Sequence, residues 1–316
     1  MSIETYKCFL EAIGHQVIAG PSGYWCDITR SFYMSIPPFR VISPDRTEIN
    51  MLLHKHHAIG LKYCAPYDHV GKRSAIYICQ ARHYDLKSLH PKMRNKVRQG
   101  LRNCAIRPIT FEYLHDHGMP LNRDTFERQG RNDPTFSQPA RWACLCKAVQ
   151  QIEGAGAWGA FVGDQLAAYM ITFVINGYGN ILYQMSRTDL LASRANNALA
   201  FVATREMLAS PGIQGVSYGQ ESIRNLAGLD EYKTRLGYEK RRVRQVVVLH
   251  PLVRPIFLSW AGDALLGGLN RVFPYHDVLK RINGIVDIAR QSQDAGLSSE
   301  RRTELERGAG DVQESL

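Results

Sequence analysis

Missing from the start of this chain is any long apolar run behind a basic stretch: Met1 to Ala12 reads MSIETYKCFLEA and is interrupted by Glu4 and Glu11. Neither a secretory signal nor a spanning helix is expected there, so the sequence predicts a cytoplasmic chain with no transmembrane segment at its start. A disulfide framework is missing too. The seven cysteines, Cys8, Cys26, Cys64, Cys79, Cys104, Cys144 and Cys146, are odd in number and scattered through apolar neighbourhoods, the pattern of reduced thiols in a reducing compartment. Cys144 and Cys146 would point in different directions on a helix and lack a second pair, which argues against zinc. His54 and His57 share a helix face in LLHKHHAIG, a spacing two metal ligands can use, but no carboxylate or cysteine stands nearby to complete a site. No metal site is expected.

What the chain has is size and positive charge. Its 316 residues, 45% of them hydrophobic, can bury a large core and exceed one compact unit. The net charge is +10, concentrated in the front half, where an anionic ligand or surface fits. The densest cations are Lys87, Lys92, Arg94, Lys96, Arg98 and Arg102. Leu86, Leu89, Met93, Val97 and Leu101 recur through the same stretch at helical spacing, so one face is buried and the cations face water. That face is either simply solvated or in contact with phosphate. It carries no aromatic residue, which argues against base stacking.

From Ile106 onward the pattern predicts a strand over 106–110, helices around 122–130 and 139–154, and strands over 157–162, 165–175 and 180–187. Gly163-Asp164 and Asn176-Gly177 punctuate these as hairpin turns. A helix over 193–209, a strand over 215–218, a helix over 224–236 ending at Gly237, and a strand over 239–249 follow. Ahead of them, Ser43-Pro44-Asp45 can open a helix running to about Ile59, and LKYCA and SAIYICQA read as strands. Residues 256–269 are apolar but too short and interrupted to span a bilayer; they can pack on the second domain or lie on a membrane, and packing is the expectation. Residues 291–316 are polar and expected to be disordered.

The order β, α, α, β, β, β, α, β, α, β is that of the GNAT acyltransferase fold. The segment GAWGAFVGDQLAAYMITF, Gly156 to Phe173, looks like the central hairpin of that superfamily. LDEYKTRLGYE, Leu229 to Glu239, resembles the aromatic-Lys-x-x-aliphatic/aromatic-Gly element of FemAB-like enzymes, which add amino acids to peptidoglycan precursors, and KMRNKVRQGLRNCAIRP, Lys92 to Pro108, resembles the basic helix leading into their second domain. The resemblance covers roughly half the chain. It implies an α/β (α+β) chain of GNAT acyl-CoA N-acyltransferase fold. The expected domains are a degenerate N-terminal copy over 1–105, a complete copy over 106–250, and a helical extension with a disordered tail over 251–316.

Candidate site residues follow from chemistry and from this resemblance. Arg128 and Arg131, three apart in FERQGR, can hold a carboxylate or phosphate, or else pair with Glu127 or Asp124 on the surface. Where CoA-dependent members carry Q/R-x-x-G-x-G/A, this chain reads Arg194-Ala195-Asn196-Asn197-Ala198-Leu199, so both loop glycines are replaced. Arg194, Asn196 and Asn197 can still grip an anion at a helix start. Glu221 follows a strand directly and is the candidate base for an acceptor amine, or else a helix-start carboxylate. Tyr218 either positions substrate or fills the core. Lys233 sits at the edge of an apolar stripe made by Leu229, Tyr232 and Leu236. The resemblance implies a transfer lysine there, and the other reading is a surface ion pair with Asp230. Backbone amides near Met185 and Ser186 are expected to help hold a tetrahedral intermediate.

The sequence therefore predicts an N-acyltransferase acting on an amine of a cell-wall, polysaccharide or related acceptor. No cofactor is expected to be tightly bound, and the donor is acyl-CoA or aminoacyl-tRNA, which makes tRNA a candidate partner. The alternative is a non-catalytic relative that binds an anionic polymer or nucleic acid through its basic N-terminal half.

Overall fold

The computed structural model describes residues 1–29, 31–131, 133–221, 227–272 and 279–292. Helix α1 (Ile3–Ala12) is capped by the Ser2 hydroxyl, which accepts from the Thr5 amide, and is followed by β1 (Val17–Gly20), β2 (Gly23–Thr29) and β3 (Phe32–Ile36). Asp45 caps α2 (Arg46–Asn50), a wider helical turn covers Met51–Lys55, and β4 (Gly60–Ala65) and β5 (Lys72–Cys79) come next. Then follow α3 (Pro91–Asn103), β6 (Ala105–Ile109), α4 (Phe111–Gln129), α5 (Pro134–Ser137) and α6 (Pro139–Gln150). Three long strands, β7 (Ala155–Val162), β8 (Gln165–Ile175) and β9 (Tyr178–Ser186), lead to α7 (Ala195–Ala209), β10 (Gly215–Gln220), α8 (Ala227–Arg235) and β11 (Glu239–Leu249). Helices α9 (Arg254–Leu258) and α10 (Trp260–Val272) follow, and residues 279–292 are helical.

The described residues fall into two compact units, one within residues 1–17 and 76–241, the other within 18–75 and 242–316. The first unit contains both α1 and the basic helix α3. Its strands lie in the order β5-β10-β9-β8-β7-β6; β10 is antiparallel to β5 and parallel to β9, and β9, β8, β7 and β6 form an antiparallel meander. The central strand β8 reads QLAAYMITFVI because both its faces are covered. Ala168 and Met170 join the core formed with Leu199 and Phe201 of α7. Tyr169 packs on Trp142 of α6, and Phe173 on Tyr6 and Phe9 of α1.

In the second unit, β2 and β3 are antiparallel, β3 and β4 parallel, and β4 and β11 antiparallel. Trp25, Tyr33, Leu52, Leu61, Tyr63 and Val246 form its core. The buried Glu48 carboxylate accepts from Trp25 Nε1 at 2.9 Å, and from the Ser22 amide and hydroxyl at 3.1 and 2.9 Å. A carboxylate so bonded can be buried at little net cost.

Several expectations need adjustment. Helix α4 begins at Phe111 rather than near 122 and runs through Pro120, with Leu114, Gly118, Leu121, Asn122 and Phe126 buried along one side. Tertiary packing offsets the hydrogen bond and the steric freedom that an interior proline loses. The helix expected from Asp45 to Ile59 closes at Lys55. His57 lies beyond it at φ 51°, so His54 and His57 share no helix face, and His54 instead packs edge-on against His250. The run 256–269, expected to be packed away, leaves Ile256 and Leu265 exposed. The tail expected to be disordered lies, from residue 293, outside the described residues.

Candidate functional site

Strands β9 and β10 run parallel, yet their register covers only Tyr178–Asn180 against Gly215–Ser217. Since β9 continues to Ser186 and β10 to Gln220, the strands part toward their carboxyl ends. The crevice outside the carboxyl ends of parting parallel strands is where an open α/β sheet holds ligands. Side chains span this gap. The Tyr218 hydroxyl donates to Gln184 Oε1, and Gln184 Nε2 donates to the Asn196 carbonyl at 3.1 Å and to Asn196 Oδ1 at 3.0 Å. Asn196 Nδ2 donates to Ser186 Oγ at 2.9 Å, and the Tyr232 hydroxyl donates to the Asn196 carbonyl at 3.1 Å. Arg128 enters from α4: Nη2 reaches Ser186 Oγ at 3.0 Å, while Nη1 reaches Thr188 Oγ1 at 2.6 Å and Asp124 Oδ1 at 3.2 Å. One connected set of hydrogen bonds thus joins α4, β9, α7, β10 and α8.

Helix α7 starts at Arg194, which is left-handed at φ 65°. A cavity of about 200 Å³ beside that start is bordered by Ser186, Arg187, Leu190, Arg194, Asn196 and Asn197. Arg194 Nε is buried without a hydrogen-bond partner, a donor that an anion would satisfy. Helix α3 lies close against this point: a Cβ on Gly100 would stand 2.6 Å from the Arg194 carbonyl oxygen. Met93 of α3 accepts from Asn197 Nδ2 at 3.2 Å.

Lys233 lies deeper than the sequence suggests. It is 4% exposed and Asp230 8%, so the pair expected at the surface is buried, with Nζ 3.9 Å from Asp230 Oδ1. Nζ donates to the Gln220 carbonyl at 2.9 Å and stands over the rings of Tyr77 at 4.7 Å and Tyr218 at 5.9 Å. Burial pulls the ammonium's pKa below the usual lysine value, and the Asp230 and Glu221 carboxylates oppose that shift. Glu221 is half-buried and directly follows β10. Burial, reinforced by Asp230 and Glu221, holds the Tyr77 hydroxyl protonated, and burial does the same for Tyr218. Leu229, counted in the apolar stripe, is exposed.

Tyr218, Asn196 and Arg128 therefore share one network, Arg194 and Asn197 border the cavity, and Lys233 and Glu221 flank the end of β10. Arg128 and Arg131 do not act as paired forks. Arg128 is committed to Ser186, Thr188 and Asp124, while Arg131, beyond the left-handed Gly130, lies over the Phe126 ring and donates to Gln129 at 3.2 Å. The Ser186 amide, expected to serve an oxyanion, donates to Thr125 Oγ1 at 2.9 Å instead. Gln184, the Ser186 side chain and Tyr77 were not singled out from the sequence. The first two stand two apart on β9 and so share a face, but in sequence that spacing marks every strand.

No protein-family model matches the sequence, and no curated protein matches it. Solved structures resemble it in fold. FemX is 10% identical, with a TM-score of 0.53 over 79% of this chain and 92% of that one. The C-terminal domain of a proposed lysylphosphatidylglycerol synthetase from Agrobacterium fabrum is 12% identical, with a TM-score of 0.51 over 77% and 86%. A conserved protein of unknown function from Bacteroides thetaiotaomicron is 12% identical, with a TM-score of 0.50 over 78% and 89%. The chain shares its mixed α/β fold with FemX and with that synthetase domain.

Proposed function

We propose that the protein is an N-acyltransferase that moves an acyl or aminoacyl group from acyl-CoA or aminoacyl-tRNA to an amine of a cell-wall, polysaccharide or related acceptor. The observation that carries this reading is the buried Lys233 ammonium, held by the Gln220 carbonyl at the end of β10 beside Glu221. A cation in so dry a place acts strongly on negative charge that develops near it. The acceptor amine attacks the donor carbonyl, a C–N bond forms, and the C–S bond of a thioester or the C–O bond of an aminoacyl ester breaks. Glu221 takes the amine proton and returns it to the departing sulfur or oxygen. Lys233 stabilises the oxyanion between these events. Arg194, Asn196 and Asn197 hold the donor's phosphate, and Tyr218 and Arg128 fix the wall against which it lies. The lysyl group in one structural neighbour's name supports an aminoacyl donor. In this reading residues 106–250 are the complete transferase copy, 1–105 its degenerate counterpart, and 251–316 an extension.

The test is a screen of acyl-CoAs and charged tRNAs by thermal shift, with mass spectrometry of candidate amines. A donor that binds the native state raises the melting temperature, and its acyl mass then appears on an amine. No shift and no acylated product across both donor classes would overturn the reading. The competing view, non-catalytic binding of an anionic polymer, draws on the exposed Lys87, Lys92, Arg98 and Arg102 in and beside α3. Steeply salt-dependent polyanion binding without turnover would select it.

A further inference from the structure

Large apolar side chains are exposed in one stretch of the second unit. Trp260 is 83% exposed and Leu252 78%, and Ile256, Leu265 and Val272 are each more than half exposed, whereas exposed large apolar residues elsewhere among the described residues lie near 40%. The arrangement is held in place: Leu266 of α10 is buried, and a Cβ on Gly262 would stand 2.2 Å from the Ile256 carbonyl oxygen, so α9 and α10 are in close contact. At helical spacing Trp260, Ala264, Leu265, Gly268 and Val272 fall on one side of α10 and Leu266 on the other. Arg254 and Arg271 are exposed within the same stretch, and Asp263 is the single acid between His250 and Val272. Beside Arg254 lies an open groove of about 510 Å³ bordered by Pro251, Pro255, Leu258 and Ser259.

We infer that residues 252–272 form a membrane-surface element that docks on a lipid surface carrying anionic headgroups. The thirteen residues of α10 extend about 20 Å, against a hydrocarbon core of about 30 Å. No described helix is long and apolar enough to cross a membrane. The element therefore lies in the interface, with Trp260, Leu265 and Val272 entering the acyl boundary and Arg254 and Arg271 meeting phosphate. Arginines interleaved with apolar side chains complement the charge and polarity of such a surface, and the groove gives one headgroup an apolar wall beside a cation. This inference is independent of the transfer chemistry.

The experiment uses the full chain with vesicles of phosphatidylcholine alone or mixed with phosphatidylglycerol. Trp25 and Trp142 are buried and Trp158 is partly buried, so Trp260, at 83% exposure, is the most iodide-accessible of the four tryptophans. Phosphatidylglycerol vesicles should sediment the protein, shift its emission to the blue and shield it from iodide, and added salt should weaken all three. Leu265→Glu and Trp260→Glu should each reduce partitioning at least about tenfold, with an unchanged melting curve. Trp260→Tyr should keep sedimentation and lose the blue shift. Failure to sediment with the anionic vesicles, or wild-type partitioning by both Glu variants, would overturn the inference. So would a free protein whose Trp260 already resists iodide because the chain covers it, or whose Trp260 drives dimerisation in sedimentation velocity.

Discussion

The Tyr218 hydroxyl donates to the Gln184 side-chain oxygen across the gap left where β10 and β9 part. Gln184 passes that orientation to Asn196 at the start of α7. Tyr218→Phe removes the donor and leaves Gln184 free to turn, at a cost of about 1 kcal/mol. The expected result is a rise of about fivefold in the donor KM with kcat nearly unchanged, read from steady-state kinetics. A fall in kcat with an unchanged KM would place Tyr218 in the chemistry instead.

Lys233→Met should lower turnover by about a hundredfold, or about 3 kcal/mol. The substitution also leaves Asp230 buried beside an apolar side chain, so the melting temperature should fall. Adding Asp230→Asn should restore most of the stability and none of the turnover. Recovery of both would make the lysine structural. Because burial pulls the Lys233 pKa down, the active ammonium is lost at a lower pH than for an ordinary lysine, and turnover should fall on the alkaline side below the usual lysine range. Lys233→Arg, which stays charged, should move that limb upward.

Gly100→Ala sets a methyl group 2.6 Å from the Arg194 carbonyl oxygen and 2.8 Å from Ala198 Cβ. Both contacts lie at the start of helix α7, one on its cap and one in its first turn, so α3 must move away. A loss of about 1–3 kcal/mol is expected in chemical denaturation, although alanine is the better helix former.

Acetyl-CoA should bind weakly. The Asn196 side chain is already committed to Ser186 and Gln184, and no glycine lets a pyrophosphate approach the start of α7. Calorimetry should give an affinity weaker than micromolar, that is, less than about 8 kcal/mol of binding free energy. Tight binding with the phosphates on the Asn196 and Asn197 amides would contradict this.

Thiol labelling of the native protein should mark Cys8 and Cys144, which are exposed, and spare Cys26, Cys64 and Cys146. Burial pushes these three up to about 12, about 11 and about 12. In each case the native state binds the proton more tightly than the unfolded chain. Stability is therefore unaffected well below the ordinary thiol pKa, and declines from about pH 9 as the unfolded thiols ionise. Denaturation midpoints measured across that range should fall, and Cys146→Ala should flatten the fall.

The long strands were legible because β8 and its neighbours carry apolar runs of strand length between glycine turns, and Gly163 and Gly177 do adopt the left-handed turn conformations. The first half of α4 was not, since Gly118-Met119-Pro120 is locally a break and only burial against Trp142 makes it helix. The strands β1 to β3 were not assigned either, because short strands held by Trp25 and Tyr33 carry no long periodic signal. Of the candidate site, chemistry-bearing residue types could be selected, but not their commitments. Nothing in FERQGR shows that the Arg128 fork is spent on Ser186 and Thr188.

The three-residue register between β9 and β10 also bears on how such a protein diverges. Where a sheet is fully paired, altering one position disturbs its neighbours through the backbone. Here the hydrogen bond between Gln184 and Tyr218 spans the gap in place of that pairing. Shorter or longer side chains at these two positions would narrow or widen the opening while the paired strands below keep their alignment. Changes at Gln184 would be felt mainly at the opening, whereas changes at Tyr218, whose ring meets those of Tyr232 and Tyr238, would reach the core as well.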